Sequence, residues 1–280
     1  MDYTVQRVNG LYKWTEEQID YIITEYTKND KSIADLSREF NLPSHNPIKS
    51  ILNKFKIPRH SRHGNHTRDS HFFDRLDTPE KIYWLGFLHI QGEFEYTSRG
   101  SSVIKIRCRD SEALYKFLKA IKGENIPIVN EKAMRDNAKT SWKVKFNDAH
   151  MFKILQNYGC GGMMRFDIIP PLQVHHFFRG CFDAGGTIFF RKDNKSPSLS
   201  FKADTPGLLK YLLYISQVPG KISRPKGGKY FVIIDGGARC KAMVNFLYQD
   251  SADYMRINWK YQLAVQCCLW SYNRHNNNNN

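Results

Sequence analysis

Two pairs of glycines repeat at one interval along this chain. Gly86 and Gly180 lie 94 residues apart, and so do Gly92 and Gly186. The first of each pair belongs to "WLGFLHIQGEF", residues 84–94, and the second to "FRGCFDAGGTI", residues 178–188. Asp110-Ser111 and Asp204-Thr205, each opening a helical segment, keep the same offset. A fixed period of this length points to duplication of one structural unit. It constrains the fold strongly, because the second half must fold as the first does.

Hydrophobic periodicity gives the unit its form. Each half reads helix, two strands, helix, two strands, helix. In "SSVIKIRCRD", Ile104, Ile106 and Cys108 face one way, and Lys105, Arg107 and Arg109 the other. "SWKVKF" turns Lys143 and Lys145 outward in the same manner. "SLSFK" puts Leu199 and Phe201 inward and Ser198, Ser200 and Lys202 outward. "KISRPKGGKYFVII" carries a Gly-Gly hairpin signal flanked by Lys221, Arg224, Lys226 and Lys229. With Arg191 near the second glycine pair, each sheet has an apolar face for helices and a basic face for a polyanion. The expected fold is α+β: a pseudo-twofold αββαββα duplication whose two antiparallel sheets form a basic saddle. A two-stranded ribbon fits the major groove of a duplex.

Residues 14–57 follow a different pattern and read as three short helices. Thr15 and Gln18 have the spacing of a capping box, Ser32 and Asp35 open a second helix, and Ser44 is placed to cap a third. Two short helices and a tight turn suit a helix-turn-helix. Its third helix would present His45, Asn46, Lys49, Ser50 and Asn53 to base edges and phosphates. "KIPRHSRHGNHTR" follows, with Arg59 and Arg62 placed to lie along a DNA backbone or minor groove. The expected organisation is an all-α helix-turn-helix domain over 1–57 and a basic linker over 58–70. Two repeats follow over 71–170 and 171–270, then a disordered tail over 271–280.

The charge agrees with a nucleic-acid partner. Lys and Arg number 42 against 27 Asp and Glu, a net charge of +15. No apolar run is long enough for a membrane span, and the start lacks an apolar signal-peptide core. The six cysteines form no C-x-x-C pair and no zinc spacing, so free thiols and no metal are expected. These features predict a protein inside a cell, associated with nucleic acid.

The segments around Gly86–Gly92 and Gly180–Gly186 resemble the two signature helices of LAGLIDADG homing endonucleases. The resemblance extends over about residues 71–268. The lead-in "FFDRLDTPEKIYWLGF" is similar to that of members with an N-terminal helix-turn-helix, many from phages and bacteria, which implies a DNA-associated monomer in bacterial or phage-infected cytoplasm. "MVNFLYQDSADYMRINWKYQL" resembles the closing helices. The resemblance implies that Gly86 and Gly180 sit at a helix–helix seam and that the helices end against DNA. It also implies that an acid before the last glycine of each motif holds a divalent metal at a scissile phosphate. Those two positions are Gln91 and Gly185 here. The resemblance also implies basic residues that support hydrolysis: here Met163 and Met164 stand near one expected position, and Ile257 and Asn258 at the others, with Arg256 and Lys260 as close neighbours.

The reading is a sequence-specific double-stranded DNA-binding protein on a catalytically degenerate homing-endonuclease scaffold, with no cofactor. Two alternatives stay open. One is an active endonuclease using Mg2+ with Glu93 and Asp183 as substitute ligands. The other is an RNA-binding, intron-splicing factor.

Overall fold

The computed structural model describes residues 5–8, 11–27, 29, 31–57, 67–98, 100–131, 141–192, 196–225 and 228–277. The chain forms two compact units, Met1–Asn65 and His66–Asn280.

In the first unit, α1 (Glu16–Thr27) starts with the expected capping box. Gln18 N donates to Thr15 Oγ1 and Thr15 N donates to Gln18 Oε1, both at 3.2 Å. Asp35 N donates to Ser32 Oγ at 3.0 Å and opens α2 (Ile33–Glu39). Helix α3 (Asn46–Lys54) follows. Ile22, Tyr26, Leu36, Phe40, Ile48, Ile51 and Leu52 form the core of this unit.

Two expectations are corrected here. Ser44 does not cap α3: His45 occupies that position and makes no capping hydrogen bond. Pro47, in the first turn, has no N–H to satisfy, which reduces the need for a cap. The unit is also not all-α. Strand β1 (Gln6–Val8) pairs antiparallel with β2 (Leu11–Lys13), Val8 opposite Leu11. The sequence signal for this ribbon was the Asn9-Gly10 dipeptide between the two short runs.

The second unit repeats one path twice. The first copy runs α4 (Pro79–Gln91), β3 (Gly92–Tyr96), β4 (Ser102–Cys108), α5 (Ser111–Ala120), β5 (Val129–Glu131), β6 (Ser141–Asn147), α6 (Ala149–Asn157). The second runs α7 (Val174–Gly185), β7 (Thr187–Phe190), β8 (Pro197–Ala203), α8 (Pro206–Ser216), β9 (Lys221–Ser223), β10 (Tyr230–Asp235), α9 (Gly237–Tyr248). Helix α10 (Asn258–Asn277) closes the unit and has no counterpart after α6. The two four-stranded antiparallel sheets have the same topology, β3-β4-β6-β5 and β7-β8-β10-β9. The expected α+β duplication is therefore the observed one. The period drifts by one residue after the first hairpin: Asp110 caps α5, but the residue before α8 is Thr205 rather than Asp204, and it makes no side-chain capping hydrogen bond.

One hydrophobic cluster takes in Trp84, Phe87 and Phe117 from the first copy and Phe177, Phe182 and Leu212 from the second, so the two repeats share a core. Two boundaries differ from the expected ones. The expected linker ends early: Arg68 Nε donates to Asp148 Oδ2 at 2.6 Å and so belongs to the second unit. The tail expected to be disordered is helical as far as Asn277, a continuation of α10.

The halves meet along α4 and α7. At their contact the backbones touch. A Cβ on Gly86 would lie 2.0 Å from Phe177 O, and one on Gly180 2.0 Å from Tyr83 O. The thiol of Cys181 donates to Gly86 O across the same contact at 3.4 Å. No side-chain rotamer can relieve a clash with backbone. Gly180→Ala must push the helices apart and should destabilise the unit by about 1–3 kcal/mol or more, as overpacking does. The check is the urea midpoint of the variant against wild type; an unchanged midpoint would contradict this account of the seam.

Candidate nucleic-acid interface

Both motif helices end at the same point in the fold, and their ends are occupied by neutral or cationic donors. Gln91 closes α4, and its Nε2 donates to Ala184 O at 2.7 Å. Lys260, buried in α10, donates from Nζ to Phe182 O (2.9 Å), Asp183 O (2.6 Å) and Gly186 O (2.8 Å). Two side chains thus satisfy the last carbonyls of α7, and the ammonium complements the negative end of the helix dipole. Burial holds the Lys260 amine down at about 8, opposed by the nearby Asp183 charge. Gly185 adds no ligand: a Cβ there would lie 2.8 Å from Ile90 Cγ2.

Asp183 is removed from solvent. Tyr83 Oη and Ile257 N donate to its Oδ2 and Tyr248 Oη to its Oδ1, each at 2.9 Å. Burial raises its pKa, partly offset by Lys260 and these donors. Arg179 is also fully buried, one turn back on α7. It donates to Met255 O (3.0 Å), Leu247 O (3.1 Å) and His176 Nδ1 (2.8 Å). These groups tie α7 to α9 and to the start of α10. Asp183, the substitute ligand under the endonuclease alternative, is a buried carboxylate held by three donors. The first copy has His89 at the equivalent position, half-buried, with its pKa lowered by desolvation. The network exists in one half alone.

Glu93, the other expected substitute, stands on the outward face of β3, with Arg107 Nη1 3.0 Å from its Oε1. This changes the picture of the first sheet. Lys105, Arg107, Lys143 and Lys145 do lie on one face, with Lys105 opposite Lys145 and Arg107 opposite Lys143. Glu93, Glu95 and Glu131 share that face, so it is not the purely basic surface the sequence predicts. Glu95 pairs with Lys105, and Glu131 with Arg107 and Lys143. The carboxylates come from β3 and β5, the strands whose charge the alternation in β4 and β6 did not reveal. Among the described residues Lys145 has no acidic partner. Arg109 is exposed beyond the end of β4.

The second sheet departs further. Lys202 is outward, as expected, but it pairs with Phe231, and Ser200 pairs with Ile233. Phe189 is 40% exposed and Ile233 38%. Arg191 Nη2 and Ser198 Oγ both bind Asp235, at 2.8 and 2.5 Å. This face is hydroxylated and apolar with few free cations, and not the basic face expected. Arg224 lies over the Tyr230 ring at 4.8 Å, and Lys229 pairs with Asp204. Nine of the 42 Lys and Arg fall in residues 132–140, 191–196 and 224–229, between the strands.

In the first unit His45, Asn46, Ser50 and Asn53 are exposed on or beside α3, and Lys49 is half-buried. Asn46, Ser50 and Lys54 border a groove of about 590 Å3 lined also by Tyr12, Trp14 and Pro43. Arg59 and Arg62 lie outside the described residues. Met163 is exposed, while Met164 and Ile257 are core residues.

No family profile and no curated protein matches the sequence. Solved structures do. The chain is similar to I-SmaMI bound to an uncleaved DNA target with calcium ions, at 11% identity over 72% of this chain and 92% of that one, TM-score 0.47. It is similar to the homing endonuclease I-WcaI bound to its DNA recognition sequence, at 14% identity, covering 65% and 85%, TM-score 0.47. It is also similar to the N-terminal LAGLIDADG domain of DUF199/WhiA, at 15% identity, covering 68% and 91%, TM-score 0.44. Among the described residues no helix is long and apolar enough to cross a membrane.

The sequence reading missed Arg179, Tyr248 and the capping role of Lys260. One signal was available: an arginine inside "FFRGCF", a run otherwise apolar, needs a buried partner.

Asp183→Asn leaves Lys260 and Arg179 short of a compensating charge. The cost should be on the order of 3 kcal/mol, as for a broken buried pair, read from the denaturant midpoint. A loss below 1 kcal/mol would remove the network's structural role.

Burial, and then the Arg179 charge, press His176 down to about 3 from its ordinary 6.5. The unfolded chain therefore binds the proton more readily. Stability due to neutral His176 is complete above pH 6.5 and is lost as pH falls from 6.5 toward 3. His176→Gln offers Arg179 an acceptor that does not titrate, so its urea midpoint should fall less than wild type between pH 7.5 and 5. Parallel curves would refute the assignment.

Proposed function

We propose that the second unit binds double-stranded DNA across its two sheets and leaves it intact. The carrying observation is the state of the seam: Gln91 is committed to Ala184 O, and Gly185 has no side chain. Magnesium takes hard oxygen ligands and usually at least one carboxylate. The Lys260 ammonium among the last carbonyls of α7 opposes a dication further. Asp183 already accepts three hydrogen bonds, and Glu93 is paired with Arg107. Both substitutes for the missing acids are therefore in use.

Binding rests on the outward cations of the sheets and the cationic strand connections. Phosphate contacts by Lys and Arg release counterions, so affinity falls with salt. Glu93, Glu95 and Glu131 lessen that attraction, and carboxylates can accept from cytosine N4 in the major groove. The chain we infer is a scaffold of LAGLIDADG type kept for recognition. The first unit adds a helix-turn-helix in which α3 offers His45, Asn46, Lys49, Ser50 and Asn53 to base edges.

A second reading draws on Phe189, Phe231 and Ile233 on the outward face of the second sheet. Exposed aromatic rings stack unpaired bases, as RNA-binding sheets do.

The test selects bound duplexes from a random pool, then measures anisotropy against the selected duplex, single-stranded DNA and structured RNA. The duplex should bind best and remain uncut in magnesium or manganese. Lys145→Ala, which removes a cation with no ion-pair partner among the described residues, should weaken binding at all sequences and lower the salt slope by about 1. Lys105→Ala, whose ammonium is already held by Glu95, should do less. Preference for structured RNA would support the second reading. Specific cuts that vanish on Glu93→Gln would return the endonuclease.

A further inference from the structure

The sequence holds no metal-binding spacing, yet folding brings three donors together far from the seam. His71 and Asp74 lie in one turn before α4. His150, distant in sequence, comes from the first turn of α6. The Asp74 carboxylate sits between the two imidazoles. His71 Nδ1 lies 2.7 Å from its Oδ2, and His150 Nε2 lies 2.6 Å from its Oδ1. The ring centroids are 4.4 Å apart, and the three ligand atoms all lie within 4.8 Å of one another.

The two backbones that carry these donors are held in place independently of them. Asp148 caps α6 by accepting from Met151 N at 2.9 Å, and its other oxygen accepts from Ser70 Oγ (2.7 Å) and Arg68 Nε (2.6 Å). One residue thus fixes the start of the 70–74 turn against the start of α6. Tyr158 Oη donates to Phe73 O at 2.9 Å from the far end of α6. Phe72 and Phe73 are buried between these anchors. The donors therefore do not owe their meeting to their own hydrogen bonds.

We propose that His71, Asp74 and His150 form a binding site for a divalent transition-metal ion of the zinc class. Two imidazole nitrogens and one carboxylate oxygen suit Zn2+, Co2+ or Ni2+ and not Mg2+ or Ca2+, which require oxygen shells. Zinc bonds these atoms at about 2.0–2.2 Å, so ligands around it stand about 3.4 Å apart. The two hydrogen-bonded contacts open by roughly 0.7 Å to admit the ion, a shift within side-chain rotation. The donors are exposed, and the remaining coordination positions face water. Bound metal would cross-link the 71–74 turn to α6. The site is independent of the proposed DNA function and stands or falls separately.

The experiment uses the full chain and Co2+ as a spectroscopic probe. Titration should give visible d–d bands that saturate at one equivalent, without the near-ultraviolet thiolate band that cysteine ligation would produce. A large excess of Mg2+ should not displace the ion. His71→Ala and His150→Ala should each lower Co2+ affinity at least tenfold. Zn2+ should raise the melting temperature of wild type but not of His150→Ala. These residues are on the surface, and far-ultraviolet circular dichroism verifies that each variant is folded. Two results would overturn the proposal: no saturable binding to wild type, or one-equivalent binding that persists when His71 and His150 are replaced together.

Discussion

The contact between Gly86 and Phe177 O, and its mirror between Gly180 and Tyr83 O, is the constraint on which the second unit depends. Helices usually pack at 8–10 Å because side chains hold them apart. Here the backbones meet, which is open only to glycine. That contact sets one half against the other, and with it the positions of both sheets, which begin directly after the seam helices. It also explains why the two copies share a core. Residues on either side of the glycines, such as Trp84, Phe87, Phe178 and Phe182, are buried to 0 or 1% exposure.

The seam is finished differently at its two helix ends. In the second copy a buried charge network takes the place of apolar packing, with Asp183 and Arg179 on α7 and Lys260 reaching back from α10. Buried ions are expensive to desolvate and are held only when their hydrogen bonds are complete. Asp183 has three donors and Lys260 three acceptors, which meets that condition. At this end Gln91 and Lys260 supply donors to carbonyls. The end of the seam has become a capped helix terminus.

The outward faces of the sheets are likewise unequal. The first carries paired charges of both signs, the second hydroxyls, aromatics and a few cations. Identical topology with different surface chemistry is what a duplicated scaffold permits, because the inward residues alone are bound by the fold. A surface of alternating sign binds less by bulk attraction and discriminates more by position.

Much of this architecture was legible in the sequence. The 94-residue period and the alternation in β4, β6 and β8 specified the duplication and which residues face inward, since pleat and helix period act locally. The absence of acids at Gln91 and Gly185 was legible too, being a matter of residue identity. The sequence did not reveal which charges would neighbour one another. Glu131 meets Arg107 across a sheet, Lys260 meets Asp183 through a closing helix, and His150 meets Asp74 from a separate element. Such pairings join residues distant in the chain, and no local period records them. Composition determined that this protein carries a large positive excess; tertiary structure decided which of those charges are neutralised, because pairing depends on distance in space.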